Sequence, residues 1–318
     1  MKDVKKIKYN GLDVLKFCMA ICVVAIHTKP FITNETLNCW INPLLQTAVP
    51  VFFIISSFLL FKKMNRLDRK EQNTALVNYV KRIGLLYAIW FVIEIPYTLY
   101  LRGYFIRQTF AASLLHLIKD TLFATTFPGS WFLSAMTVAI VLVFLMNRHL
   151  SKYIALIISF AVYFYIYNIE LFNGFLQVPY QLFTEYIRPE IKQSFPVALL
   201  WVAIGSILSS ANLQFCNAKS KVLLLCSIIV LYMTNVFAGE LFIIKTILPI
   251  LIFISAVNID IKDRPAYKKL REMSIIIFFV HFIVIKSKSI FIGCANKILA
   301  LTSPNYMATS ATTGGVTH

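Results

Sequence analysis

Nine runs of mostly apolar residues, near 11–29, 43–61, 83–101, 131–147, 152–168, 194–210, 221–238, 240–257 and 274–292, constrain this chain more than any other feature. The hydrocarbon core of a bilayer, about 30 Å thick, takes roughly 20 such residues per helix. A tenth stretch, TFAASLLHLIKDTLFATTF at 109–127, is interrupted by His116, Lys119 and Asp120 and reads as interfacial or re-entrant. With 58% of residues hydrophobic, 14% charged and 27 Phe, the composition excludes a soluble globule of 318 residues. The expected fold is all-α: a polytopic membrane helix bundle of nine or ten transmembrane helices in a lipid bilayer. The membrane domain fills residues 1–292, and 293–318, ending in the small and polar LTSPNYMATSATTGGVTH, is expected to be a disordered or weakly structured tail.

Charge sets the expected orientation. Lys plus Arg number 31 against 14 Asp plus Glu, a balance of +17, and in a chain this apolar the excess reads as cytoplasmic loops facing anionic lipid, not as nucleic-acid binding. With the N-terminus in the cytoplasm, the inner segments 1–10, 62–82, 148–151, 211–220 and 258–273 collect KKMNRLDRK, YVKR, NRHLSK, NAKSK and IKDRPAYKKLR. Counting 109–127 as a full span would put NRHLSK and the cluster at 262–271 outside, against the charge rule. The basic start MKDVKKIKYN resembles a signal peptide, but the apolar run after it is long and has no small-x-small cleavage site, so it is expected to stay as the first helix. The six cysteines show neither a C-x-x-C pair nor a Cys/His ligand spacing, so neither a metal site nor a disulfide framework is expected.

The first run, GLDVLKFCMAICVVAIHTKPF at 11–31, carries Asp13, Lys16 and His27. At 100° per residue, the eleven positions from Lys16 to His27 bring them to within about 20° on one helix face, roughly 16 Å apart along the axis. Asp13 lies one turn below Lys16 on the same stripe. Ionisable groups at membrane depth normally face a bundle interior or cavity and mark function. The alternative is that Lys16 snorkels to the headgroups beside Asp13 while His27 sits in the opposite interface.

The context LDVLKFCMAICVVAIH resembles the acyltransferase-3 family of bacterial membrane enzymes, which carry an Arg/Lys-x10-His signature on their first helix. VPVFFIISSFLLFKK (49–63) resembles the family's second-helix motif, with Ser57 where Gly is usual. YVKRIGLLYAIW (79–90) is similar to the basic entry to helix three, its Arg-x-x-Arg arrangement reduced to Lys81 and Arg82. GSWFLSAM (129–136) and MSIIIFFVHF (273–282) match the entry to helix four and a late His-bearing helix. The resemblance implies a multi-pass protein of the bacterial plasma membrane. It would transfer an acyl group, acetyl foremost, from cytoplasmic acyl-CoA to a hydroxyl or amine of a cell-envelope polysaccharide, peptidoglycan or small-molecule acceptor, with no metal. His27 is then the general base, Lys16 guides the donor and Asp13 holds Lys16. Lys81 and Arg82, with the 62–70 cluster, receive the nucleotide, Trp131 lines the acceptor entrance, and His281 faces His27 across the bundle. Ser56 or Ser57 as a covalent relay is a minor alternative to plain helix packing.

Two other classes stay open. The family includes the membrane domain of serine racemases from vancomycin-resistance operons, which makes a carrier for serine or another small molecule the second reading. Those proteins continue into a racemase domain, which is not expected in a chain ending at residue 318; this weakens the carrier reading and leaves a stand-alone relative open. A sensor or scaffold without activity would tolerate the departures at Ser57 and at Lys81-Arg82.

Overall fold

The computed structural model describes residues 9–30, 32–96, 98, 105, 109–215, 217–239 and 241–302, with 286–302 by backbone alone. Glu240 and the polar stretch 303–318 lie outside the described residues, as do the side chains of Lys286 and Lys288. The described chain is helical with no strand. It forms α1 (Asn10–Thr28), α2 (Glu35–Gln46), α3 (Ala48–Met64), α4 (Arg69–Ile93), α5 (Phe110–Phe123), α6 (Ser130–His149), α7 (Lys152–Tyr167), α8 (Phe195–Leu208), α9 (Ala218–Ala238), α10 (Phe242–Val257) and α11 (Pro265–Thr302).

Each predicted apolar run coincides, for most of its described length, with helix, the run 83–101 as far as Ile93 and the run 43–61 across two helices. Five segments are long and apolar enough to cross a membrane: α1, the joined α2 and α3 (Glu35–Met64), α4, α6 and α9. The chain is a polytopic membrane protein. The runs 152–168, 194–210 and 240–257 give shorter apolar helices of 16, 14 and 16 residues. The interrupted stretch 109–127 gives α5, 14 residues capped by the Thr109 side chain on the amide of Ala112. At 1.5 Å per residue α5 is about 21 Å long, short of the hydrocarbon core.

Three boundaries differ from the sequence expectation. The segment 62–82 is not a loop throughout, because Asp68 and Glu71 form a reciprocal capping box that starts α4 at Arg69 and makes YVKR helical. The cluster at 262–271 likewise enters α11, which begins at Pro265, a residue whose fixed φ and missing amide suit a first helical turn. The run 43–61 belongs to a longer pair of helices broken at Thr47, where Pro50 has no N–H to offer the Gln46 carbonyl one turn back.

The buried centre is α3 packed on α8, with α6 and α7 around α8 and with α1, α10 and α11 on the other side of α3. Gly205 of α8 meets the backbone of α3 so closely that a side chain there would collide with Ser57 Oγ. Ser57 is fully buried and donates to the Phe53 and Ile54 carbonyls at 2.8 and 3.1 Å. It is a packing serine turned into its own helix. Gly11 plays the same part for α1, where a Cβ would collide with the Ala256 carbonyl of α10. α4 and α9 are peripheral, and Leu85, Ile89, Val92, Leu223 and Val230 point outward as lipid-facing side chains would.

Candidate functional site

α1 is capped for its charges: Asp13 lies in the first turn, His27 in the last, and Lys29 closes the helix in the left-handed conformation just before Pro30. Its polar stripe faces α11, with which it packs along its length. Near the start of α1 the Asp13 carboxylate pairs with Arg271 at 3.6 Å. Lys16 is half-buried, and Asp13, Arg271 and Arg82 all lie within electrostatic reach of its ammonium. Lys81 is exposed on α4. The Tyr79 hydroxyl stands near both Ser56 and Arg82.

This end of the bundle is the basic end. It holds a cavity of about 490 Å3 whose lining includes Tyr9, Asn10, Asp13, Arg264, Lys268 and Arg271. Asn10 Nδ2 donates to the Ile261 carbonyl at 3.1 Å and ties the start of α1 to the segment leading into α11. Burial pushes the Tyr9 phenol up, against a smaller pull from Arg66, so it stays a hydroxyl that can donate a hydrogen bond.

At the far end of the same stripe, the rings of His27 and His281 lie 5.3 Å apart. Phe282 packs against both, 4.6 Å from His27 and 4.0 Å from His281. His281 is 6% exposed, and its Nδ1 is 3.0 Å from the Ile277 carbonyl. A carbonyl only accepts, so Nδ1 carries the proton and Nε2 is a lone-pair acceptor. That Nε2 is buried and meets no partner in the structure. The two imidazoles therefore sit together, His27 in the wall of a cavity and the His281 ring oriented by the Ile277 carbonyl.

His27 lines a second cavity, of about 300 Å3, together with Trp131, Tyr163, Lys192, Trp201 and Asn235. Its floor is set by the turn Gly129-Ser130-Trp131. Gly129 has φ +80°, and a Cβ there would stand 2.7 Å from the Phe282 ring. Ser130 Oγ accepts from the amides of Thr126 and Phe127, at 3.0 and 3.3 Å, and so fixes Trp131 at the wall. The two cavities share no lining residue. Val23 of α1 and Phe278 of α11 line the far-end cavity, and the Phe278 ring packs on Phe52 and Phe132.

The structure thus gathers Asp13, Lys16 and Arg82 at one end and His27, His281 and Trp131 at the other. Sequence reasoning missed Arg271, because the basic segment before the last apolar run was read as a loop. Pro265 followed by an uninterrupted stretch without Gly or Pro was the signal for a longer helix. It also missed Asn235 and Lys192, which line the far-end cavity from two separate segments and carry no local signature.

Comparison with known proteins adds the family. The model described as "Acyltransferase domain", acyltransferase-3, matches residues 9–287. Two relatives from Enterococcus faecalis, both named amino-acid racemase, are 29% identical over 220 residues and 27% identical over 163. These alignments take in 65% and 50% of this chain but only 29% and 22% of the relatives' own length. No solved structure matches the chain. A match that starts at Tyr9, runs past His281 and takes in the whole Lys16-to-His27 stripe leaves one conclusion: the chain belongs to the acyltransferase-3 family.

Proposed function

We propose that this protein is a membrane acyltransferase of the bacterial plasma membrane that moves an acyl group, acetyl foremost, from cytoplasmic acyl-CoA to a hydroxyl or amine of a cell-envelope glycan or small-molecule acceptor. The observation that carries the reading is the single stripe of α1, whose Asp13 lines the basic-end cavity with Lys16 in electrostatic reach and whose His27 lies in the wall of the far-end one. With the basic end in the cytoplasm, the CoA phosphates meet Arg82, Arg271 and Lys16, and the pantetheine arm spans the roughly 16 Å to His27 by displacing Phe278. His27 takes the proton from the acceptor as its oxygen or nitrogen bonds to the thioester carbonyl carbon. The C–S bond then breaks, and the CoA sulfur leaves as the thiol with the proton that His27 returns.

The test is transfer of radiolabel from acyl-CoA to envelope material by membranes containing the protein. His27→Ala should abolish it with the protein still folded, and near-normal transfer by that variant would end the assignment. Lys16→Ala should fail likewise, whereas Lys16→Arg should keep activity if a cation is all the site needs.

A second reading, a carrier for serine or another small molecule, is favoured by relatives named amino-acid racemase and by two cavities in the bundle. Uptake of labelled serine into proteoliposomes without any CoA compound would support it; a flat time course would dismiss it.

A further inference from the structure

Three helices of the central bundle meet in a polar node that presents a lysine held only by neutral groups. Lys152, the first residue of α7, donates through Nζ to Ser210 Oγ, just past α8, at 2.6 Å and to Asn65 Oδ1, at the end of α3, at 3.2 Å. Asn65 Nδ2 in turn donates to Ser209 Oγ at 2.9 Å and to Ser210 Oγ at 3.3 Å. An ammonium has three hydrogens and both of its acceptors here are neutral, so one hydrogen and the full charge remain. Ser210 Oγ accepts from two donors, which leaves its own hydrogen to donate, and it meets no acceptor among the described residues. The carboxylates that follow Asn65 in the chain, Asp68 and Glu71, are engaged in the box that caps α4, and no ion pair reaches Lys152 among the described residues. Beside the node, Tyr153, Ile154 and Ile157 of α7 are exposed and form an outward apolar strip with a tyrosine at its polar end, as at a headgroup boundary.

We infer that this node binds one anionic phospholipid, whose headgroup phosphate accepts from Lys152 Nζ and Ser210 Oγ while an acyl chain lies along Tyr153, Ile154 and Ile157. A soluble phosphate ester shares the anion but has nothing to place on the apolar strip, so the lipid is the occupant. Diffuse attraction of a basic surface to anionic lipid treats every exposed lysine alike. Lys152 differs because Asn65 and Ser210 already hold its side chain, so little freedom is lost when the phosphate docks. A lipid seated here ties α3, α7 and α8 together and stabilises the bundle by mass action. The site is independent of acyl transfer, since it shares no residue with either cavity or with the α1 stripe.

The experiment titrates the purified full chain in detergent, without CoA, with dioleoylphosphatidylglycerol or dioleoylphosphatidylcholine and counts retained lipids by native mass spectrometry. The two share their acyl chains, and the choline of the second cancels the phosphate charge. One molecule of the anionic lipid should bind at least about tenfold tighter than its zwitterionic twin, as expected for one charge-assisted contact. Lys152→Gln should bring the two lipids to near parity. Lys219→Gln, the same loss of charge at an exposed position of α9, should leave the preference intact. Ser210→Ala keeps every charge and should weaken phosphatidylglycerol at least about threefold through loss of one donor, and it decides the matter if Lys152→Gln does not fold. Glycerol 1-phosphate at the same concentration should not displace the lipid. Equal retention of the two lipids, equal effects of the two lysine variants, unchanged binding by Ser210→Ala, or displacement by glycerol phosphate would each overturn the inference.

Discussion

Adding one methyl group at Gly205 should be far more damaging than adding it at Gly84, although both glycines are in helices of the same bundle. At Gly205 the new Cβ would collide with Ser57 Oγ and lie 2.8 Å from the Ile54 carbonyl oxygen and 3.0 Å from the Phe58 nitrogen. Ser57 can turn away only by giving up its bonds to Phe53 and Ile54, a loss of about 1 kcal/mol, while the backbone of α3 moves only if the helix is displaced. Overpacking of this kind costs about 1–3 kcal/mol, so Gly205→Ala is expected to destabilise by about 2–4 kcal/mol. At Gly84 nothing lies within 4 Å, and replacing an exposed helical glycine should stabilise by about 0.5–1 kcal/mol. Thermal unfolding of the purified protein in detergent, followed by the monodisperse fraction on size exclusion, should shift the two midpoints in opposite directions. Ser57→Gly in the Gly205→Ala background should recover only part of the loss, because it removes the hydroxyl and leaves the Ile54 carbonyl. If Gly205→Ala unfolds at or above the midpoint of Gly84→Ala, the α3/α8 contact at the centre of the bundle is wrong.

Two further outcomes follow from the stripe. Asp13→Asn and Arg271→Met should be non-additive in a double-mutant cycle on the same midpoint, with a coupling of roughly 0.5–1 kcal/mol for a pair in which Arg271 is 45% exposed; additivity would mean the ion pair contributes nothing. Gly129→Ala forces a non-glycine residue to φ +80°, at roughly 1–2 kcal/mol, and drives Phe282 off His27. Its label transfer should fall well below that of Phe282→Leu, and equal activities would show that the turn does not position the base.

Much of the architecture was legible because it is local. Apolar runs of span length become helices wherever they occur in a bilayer, and the capping box at Asp68 or the proline at 265 can be read from neighbouring residues alone. Helical periodicity likewise placed Asp13, Lys16 and His27 on one face before any neighbour was known. Lys81 shows the limit: it is one residue from Arg82 and both are exposed, yet only Arg82 lies within electrostatic reach of Lys16, which a local pattern does not reveal.

From sequence alone come the membrane class, the helices and the composition of the α1 stripe, since each depends on residues within a few turns of one another. Tertiary structure decided what the stripe faces. Arg271 and His281 meet Asp13 and His27 from more than 250 positions away, through close helix packing that no local pattern encodes. It also decided that Asp13 and His27 line two different cavities, because each wall is assembled from segments far apart in sequence and exists only once the helices have packed.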